Sequence, residues 1–499
     1  MPSRRKGKNT MTTAGKQPSK KEGFDPQRSA LKRKARGRCC FEGKGKRRKS
    51  KLSVIKPDAA GVDVGAQAHY VAVPEDRAAV SVRSFGTCTA QLDEIVQWLK
   101  DCGIKTVAME STGVYWIPLF QKLEEAGFEV LLVDARQAKH VPGRKSDVQD
   151  CRWLQQLHSY GLLRAAFRPE DGICRLRTFQ RHRKNLVECA GMWIQRMEKA
   201  LNEMNLQLHH VLSDITGQSG LAILDAIVAG ERDPSKLASL AHYRVKKSQA
   251  QIEAALRGDY RPELLFVLRQ SLENYRQMQQ QILQCDLSVE KQLAAMSHQS
   301  KPSEHLESKG QAEDSAHCRP GKEKPKNGLE STLAAHLKRI LGVDLTTLPG
   351  LNVLASLTLL SEIGTNMTKW RNHKAFVSWL GLSPNNKISG QRVLSSRTRK
   401  VVNRAATTLR LAAMLVGKTD TALGSFYRRK RAQLGAPKAI TATARKLACL
   451  IYHLIKNGQA YKEPDLRTYE LKYQEQILQS LRKRAKSMGF DLVELPKAA

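Results

Sequence analysis

The sequence predicts a mixed α/β N-terminal domain, a long helical connector and a mostly α-helical C-terminal domain. Three observations lead there. Short β-rich runs separated by turn residues occupy the stretch from Ala59 to Phe85. Strands then alternate with amphipathic helices as far as Tyr160, and beyond residue 171 the pattern is almost wholly helical. In order, AAGVDVG, HYVAVPE and VSVRSF read as a three-stranded meander. A helix (QLDEIVQWLKDCG), a strand (KTVAME), a helix (WIPLFQKLEEAG), a strand (FEVLLVDA) and a helix from about Asp147 to Tyr160 follow.

Three hairpin-linked strands followed by alternating strands and helices make a sheet of ribonuclease H-like order, expected over 57–165. A doubly wound nucleotide-binding domain would need a Gly-rich first turn, and GVDVGAQ is not one. Residues 166–297 read as long helices or a partial coiled coil, because the heptad pattern in ENYRQMQQQILQCDLSVEKQL is irregular. Residues 298–330 are poor in apolar residues and rich in breakers, a linker pattern. Helices resume over 331–462, beginning with LTTLPGLNVLASLTLLSEIG, a helix-hairpin-helix-like element whose turn could offer backbone N–H groups to a phosphate. A helical tail is expected over 463–499.

Charge narrows the class of function. Lys and Arg total 84 against 47 Asp and Glu, a formal net charge of +37 in 499 residues. Such a surplus favours a polyanionic partner, because neutralising phosphates releases condensed counterions. It is concentrated at two places. Residues 1–56 hold 20 Lys/Arg and three acids and read as a disordered basic arm; residues 390–447 hold 14 Lys/Arg and one acid, Asp420. The ten cysteines form no CxxC pair and no zinc-ligand spacing, which fits free thiols in a reducing cytoplasm. No apolar run is long enough to span a bilayer, so no membrane partner is expected.

Against that basic background, four acids stand at strand ends or helix starts. They are Asp63 in GVDVG, Glu110 in VAMESTG, and Asp147 and Asp150 in KSDVQD. Two-metal phosphoryl chemistry needs several carboxylates converging on hard cations, and Mg²⁺ (or Mn²⁺) prefers such oxygen ligands. Asp147 and Asp150, three apart, share one face of a helix. Taken singly, each acid reads as a cap or surface residue. Asp58, Asp76, Glu124 and Asp134 compete for the role.

The blocks GVDVGAQAHYVAV, MESTGVYW, RKSDVQDCRWLQQL, LPGLNVLASLTLLSEIG and FVSWLGLSPNNKISGQRVLSSRTRKVVNRAATTLR resemble the DEDD-type transposases of the insertion-sequence-110 family. The resemblance covers about residues 57–165 and 335–460, and the order of the blocks makes it specific. It implies a RuvC-like domain, a helical connector and a C-terminal transposase domain. It also implies that Asp63, Glu110, Asp147 and Asp150 are the catalytic, metal-binding tetrad. A serine of the C-terminal domain would attack a DNA phosphate and become covalently linked to it. The implied partners are donor and target DNA, a structured element-encoded guide RNA, and further copies of the chain in a dimer or tetramer. In such an oligomer, one subunit's acidic domain meets another's serine domain. The implied setting is the bacterial cytoplasm, at the nucleoid.

Most members carry a Ser-Ser-Gly-Gly-like stretch where this chain reads Lys387-Ile388-Ser389-Gly390-Gln391, so Ser389 is the expected nucleophile. The departures at Ile388 and Gln391 keep Ser383, Ser395 and Ser396 in contention. Arg392, Arg397, Arg399, Lys400 and Arg404 follow closely and are expected to hold the phosphate backbone, which positions DNA without reading its sequence. Trp370 and Trp379 are expected in the core rather than stacked on bases. Two other readings remain: a hydrolytic junction nuclease of the RuvC sort, with the serine idle, and a non-enzymatic nucleic-acid-binding protein with a decayed acidic site.

Overall fold

The computed structural model describes residues 53–134, 146–299 and 330–493. The basic arm, apart from residues 53–56, lies outside them, as do residues 300–329 of the expected linker and the last six residues of the tail. By its contacts the chain divides into two compact units, residues 1–165 and 166–499.

The first unit contains β1 (Ala59–Val64), β2 (Ala68–Ala72), β3 (Val82–Gly86), α1 (Thr89–Asp101), β4 (Thr106–Glu110), α2 (Trp116–Glu125), β5 (Glu129–Val133) and α3 (Asp147–Ser159). Its sheet order is β3-β2-β1-β4-β5. The β1–β2 and β2–β3 pairs are antiparallel, and β1–β4 and β4–β5 are parallel. This is the mixed ribonuclease H-like sheet that the sequence predicts. The parallel strand β4 is buried along its whole length, as a strand covered on both faces must be. Leu92, Ile95 and Leu99 of α1 and Leu119, Phe120 and Leu123 of α2 bury one apolar stripe of each helix.

The helix α3 is fastened to the sheet by polar contacts along its C-terminal half. Gln155 Nε2 donates to Ala59 O (3.2 Å), and the backbone N–H groups of Ile55 and Lys56 both donate to Ser159 O. His158, 1% exposed, lies 2.8 Å through Nε2 from Thr106 Oγ1. The threonine hydroxyl donates to Glu129 O, so Nε2 carries the proton it gives to Thr106.

The second unit begins with two long helices, α4 (Asp171–Glu203) and, after four short ones, α9 (Pro262–Gln299). The short helices are α5 (Leu208–Val211), α6 (Gln218–Ala229), α7 (Pro234–Ser239) and α8 (Gln249–Ala255). Helices α4 and α9 run antiparallel, since Cys285 Sγ meets Phe179 O while Gln292 Nε2 meets Gly172 O. A buried ion pair, Arg183–Asp286, joins them between two apolar clusters. One cluster gathers the far ends of α4 and α9 with α5–α8, from Leu186 to Cys285. The other takes Ile173, Leu176, Val289 and Leu293 from the near ends into the C-terminal core.

That core is built from α10 (Glu330–Leu341), α11 (Val353–Ile363), α12 (His373–Trp379), α13 (Arg404–Val416), α14 (Ala422–Leu434) and α15 (Ala436–Asn457). A hairpin of β6 (Lys387–Ser389) and β7 (Arg392–Ser395) separates α12 from α13, and α16 (Leu466–Ser487) follows α15. The Pro349–Gly350 turn lies between α10 and α11, and Asn352 caps α11 by accepting from Ala355 N. Arg177 donates to the carbonyls of Ser361 and Glu362 at the end of α11, and Arg181 forks onto the Glu362 carboxylate at 2.9 and 3.0 Å. Trp370 is buried beside Phe167, Phe376 and Trp379, and its carbonyl accepts from Tyr452. Among the described residues no helix is long and apolar enough to cross a membrane.

Burial lowers the His158 pKa to about 4, with the nearby Lys56 charge acting in the same direction. In the unfolded chain the imidazole titrates near its ordinary value of 6.5. Between those values the unfolded state binds the extra proton, so this contribution is present above pH 6.5 and is lost as pH falls towards 4. It amounts to on the order of 3 kcal/mol. We expect His158→Gln to flatten the fall in urea midpoint between pH 6.5 and 4 relative to the unsubstituted chain. Parallel pH profiles would contradict a neutral buried His158.

Candidate active site

The strand periodicity determines which side chains of the first unit share a face. Ala59, Gly61 and Asp63 alternate onto one face of β1; Thr106, Ala108 and Glu110 do so on β4. The two strands pair Gly61 with Ala108 and Val62 with Met109, so Asp63 and Glu110 come next, side by side at the carboxyl ends. The contacts of α3 follow the same face in reverse order. His158 meets Thr106 at the start of β4, and Cys151 and Gln155 lie over Gly61. The first turn of α3, with Asp147 and Asp150, therefore lies towards the strand ends that carry Asp63 and Glu110.

This arrangement depends on Gly61. A Cβ there would fall 2.2 Å from Gln155 N and 2.5 Å from Cys151 O, both backbone atoms of α3. No side chain of any size fits that gap. The sequence contained a faint sign of it, a glycine inside an apolar strand, which marks a close backbone approach.

The four acids are electrostatically one cluster. Burial, and then the charges of Glu110, Asp147 and Asp150, push the Asp63 carboxyl up to about 6. Glu110 is buried and accepts from the Thr112 hydroxyl at 2.8 Å, Asp63 and Asp150 are partly buried, and Asp147 is exposed. Asp147 and Asp150 also occupy the first turn of α3, where the helix dipole favours negative charge. Among the described residues no three His, Cys, Asp or Glu side chains form a ready-made ligating group. The acids thus meet as mutually repelling carboxylates, not as a preformed coordination sphere. Hard oxygen donors under mutual repulsion fit a divalent cation, which would relieve it. Of the competitors, Asp58 is held by Arg77 (2.6 Å) and Lys105 (3.3 Å), and Asp76 lies 3.7 Å from Arg77. Asp134 and Glu124 are exposed.

In the second unit, Ser389 sits at the tip of the β6–β7 hairpin, cross-strand from Arg392. The loop has two residues. Gly390, at its first position, has φ +57°, the left-handed region a hairpin of this length demands there. Gln391 is not among the residues with positive φ, so a side chain at that second position costs the turn nothing. The Ser389 side chain is exposed and, among the described residues, its hydroxyl meets no hydrogen-bond partner. Ser395 is partly buried and its Oγ accepts from Arg397 N; Ser383 is partly buried and precedes Pro384.

Two family models match the chain. Residues 60–206 match the IS110-type DEDD transposase model, described as a transposase. Residues 344–428 match a model described as transposase, IS116/IS110/IS902 family. The chain belongs to the IS110 family of transposases. No curated protein matches it. Its family implies DNA as substrate and DNA recombination as activity.

The expected phosphate-holding cations of the transposase divide into groups. Arg392 flanks Ser389, and Arg397 and Lys400 line an open groove together with Ser395 and Ser396. Arg399 donates its guanidinium to Ser378 O, a contact that ties the segment after the hairpin to α12. Arg404 lines a different, smaller cavity with Arg181, Arg183 and Lys184. Within the basic zone 390–447, sequence reading did not single out Lys438, Arg445 and Lys446 of α15, which face the same groove as Lys400. Their seven-residue spacing, Lys438 to Arg445, was the available signal.

Substituting Gly61 with Val should drive α3 away from β1 and cost about 1–3 kcal/mol of stability. Strand-transfer activity should fall with it, even under conditions where the variant remains folded. Wild-type activity in folded Gly61→Val, checked by urea denaturation beside a recombination assay, would refute this account of the acidic site.

Proposed function

We propose that this transposase cleaves and rejoins DNA strands through a serine nucleophile, Ser389, with the help of divalent metal held by Asp63, Glu110, Asp147 and Asp150. The observation that carries it is the Asp63 carboxyl, raised first by burial and then by the charges of Glu110, Asp147 and Asp150, which two other stretches of the sequence supply. A magnesium ion bound there would supply charge stabilisation for the transferring phosphate.

The residues of the chain divide the remaining work. Ser389 Oγ forms a bond to phosphorus as the bond from phosphorus to one deoxyribose oxygen breaks; the serine's proton ends, through solvent, on that leaving oxygen, giving a phosphoserine link and a free deoxyribose hydroxyl. The reverse step, with a hydroxyl of the second strand attacking, restores the serine and joins the strands. Arg392, opposite Ser389 on the hairpin, is suited to balance the charge that accumulates on the phosphate oxygens. A free, exposed hydroxyl at a tight turn suits attack on a large substrate better than the partly buried Ser395 or Ser383 does. The proposal includes a homo-oligomer in which acids and serine from different copies meet at one phosphate. It also includes a guide RNA, supported by the family resemblance and by the basic surplus.

Ser389→Ala should abolish strand transfer and the covalent protein–DNA adduct while leaving DNA binding intact; Ser396→Ala should keep both. Glu110→Gln or Asp147→Asn should reduce strand transfer at least about 100-fold, and chelation of divalent metal should do the same to the unsubstituted protein. A metal-dependent nicking activity that persists in Ser389→Ala, with no trapped adduct in either protein, would favour the hydrolytic nuclease. Full activity after chelation and in both acid variants would remove the metal site altogether.

A further inference from the structure

An open groove of about 1380 Å³ lies between β7 with the segment following it and the helices α14 and α15. We propose that this groove holds an unpaired DNA strand next to the scissile phosphate, its phosphates on the α15 cations and a base against Phe426. The placement beside the scissile phosphate rests on Ser389 being the nucleophile; the binding itself does not.

Its lining combines two chemistries that a single strand needs. Arg397, Lys400, Lys438, Arg445 and Lys446 are cations, and no Asp or Glu lines the groove. Lys438 and Arg445 are exposed, two turns apart on one face of α15, so they form a short track for a phosphate backbone. Between the cations the lining is apolar. Val393 and Leu394 of the hairpin are 53% and 65% exposed. Phe426 is partly exposed, with Lys446 Nζ 4.6 Å from its ring centroid, so a base stacking there would meet a ring already next to a cation.

The chemistry of the lining favours an unpaired strand over a duplex as the occupant. A duplex hides its base faces, and the exposed Val393 and Leu394 and the partly exposed Phe426 would then have nothing to bury. An unpaired strand presents both base faces and phosphates, the pairing of stacking platform and basic track that single-strand sites use. The groove is also continuous with the serine hairpin. Val393, Leu394 and Ser395 belong to β7, whose first residue, Arg392, pairs with Ser389. The strand joined at Ser389 is DNA, so DNA is the expected occupant.

The test is fluorescence anisotropy with the full-length chain and a labelled oligothymidylate, titrated over a range of salt. Phe426→Leu should weaken binding roughly 5- to 100-fold. Lys438→Ala with Arg445→Ala should reduce the salt slope by about 1.4, at about 0.7 for each phosphate that is no longer neutralised. Ser389→Ala should bind as the unsubstituted protein does. Circular dichroism melts of the variants check that each is folded, and the exposed Lys438/Arg445 pair gives a readout even if Phe426→Leu is destabilised. Unchanged affinity and salt slope in both groove variants would overturn the proposal. So would blunt duplex competing as well as single strand, and displacement by oligouridylate at lower concentration would assign the groove to RNA. If the groove variants lose binding but Ser389→Ala still transfers strands, the nucleophile assignment fails and the groove stands; the opposite pattern spares the serine and removes the groove.

Discussion

The close approach of α3 to β1 at Gly61 is the constraint on which the acidic site depends. With backbone atoms of α3 only 2.2 and 2.5 Å from where a Cβ would be, helix and strand are in direct main-chain contact. That contact fixes the height of α3 above the sheet, and the His158–Thr106 and Gln155–Ala59 bonds fix its direction and offset. Asp147 and Asp150 then have no freedom to sit elsewhere, because they belong to the first turn of the same rigid helix. Crowding four carboxylates is unfavourable in itself. The buried packing of Cys151 and Leu154 along α3 offsets that repulsion, while burial and the neighbouring charges favour the protonated form of Asp63.

The C-terminal unit works by the opposite principle. Its helices bury a continuous apolar cluster, and the ion pairs Arg177 and Arg181 with Glu362 attach α11 to the long helix α4. On that firm base the β6–β7 hairpin is left with its tip exposed. Its turn is specified by one glycine, Gly390, whose positive φ an L side chain rarely adopts. The exposed apolar residues Ile388, Val393 and Leu394 would be a liability in a protein with no large partner. Beside a basic groove they are the expected surface of a site that receives a polymer.

Charge in this protein is accordingly of two kinds. Some cations are used up internally. Arg77 and Lys105 neutralise Asp58, Arg183 neutralises Asp286, and Arg399 serves a backbone carbonyl. Others, such as Lys438 and Arg445, face open solvent on a groove with no acid in its lining. A formal net charge does not separate these classes, since a paired arginine and an exposed one count alike.

Sequence by itself determined the sheet order and the family, and it named four acids as candidates. The sheet order follows from local features, period-two strands, 3.6-residue helices and turn residues; the family, and the acids it points to, follow from the order of short motifs along the chain. It also pointed to Ser389–Gly390, because that pair is what remains here of the family's serine-glycine stretch; that Gly390 takes up a positive φ at a hairpin turn came from the structure. Only the tertiary structure decided that Asp58 is consumed by an ion pair, that Gly61 is the contact point of helix and strand, and that Arg399 and Arg404 part company with Arg392. Those facts depend on residues distant in sequence arriving at the same place, Gly61 with Gln155, Arg399 with Ser378, Lys400 with Arg445. Periodicity tells which side of an element is buried, but not which atom of another element will meet it.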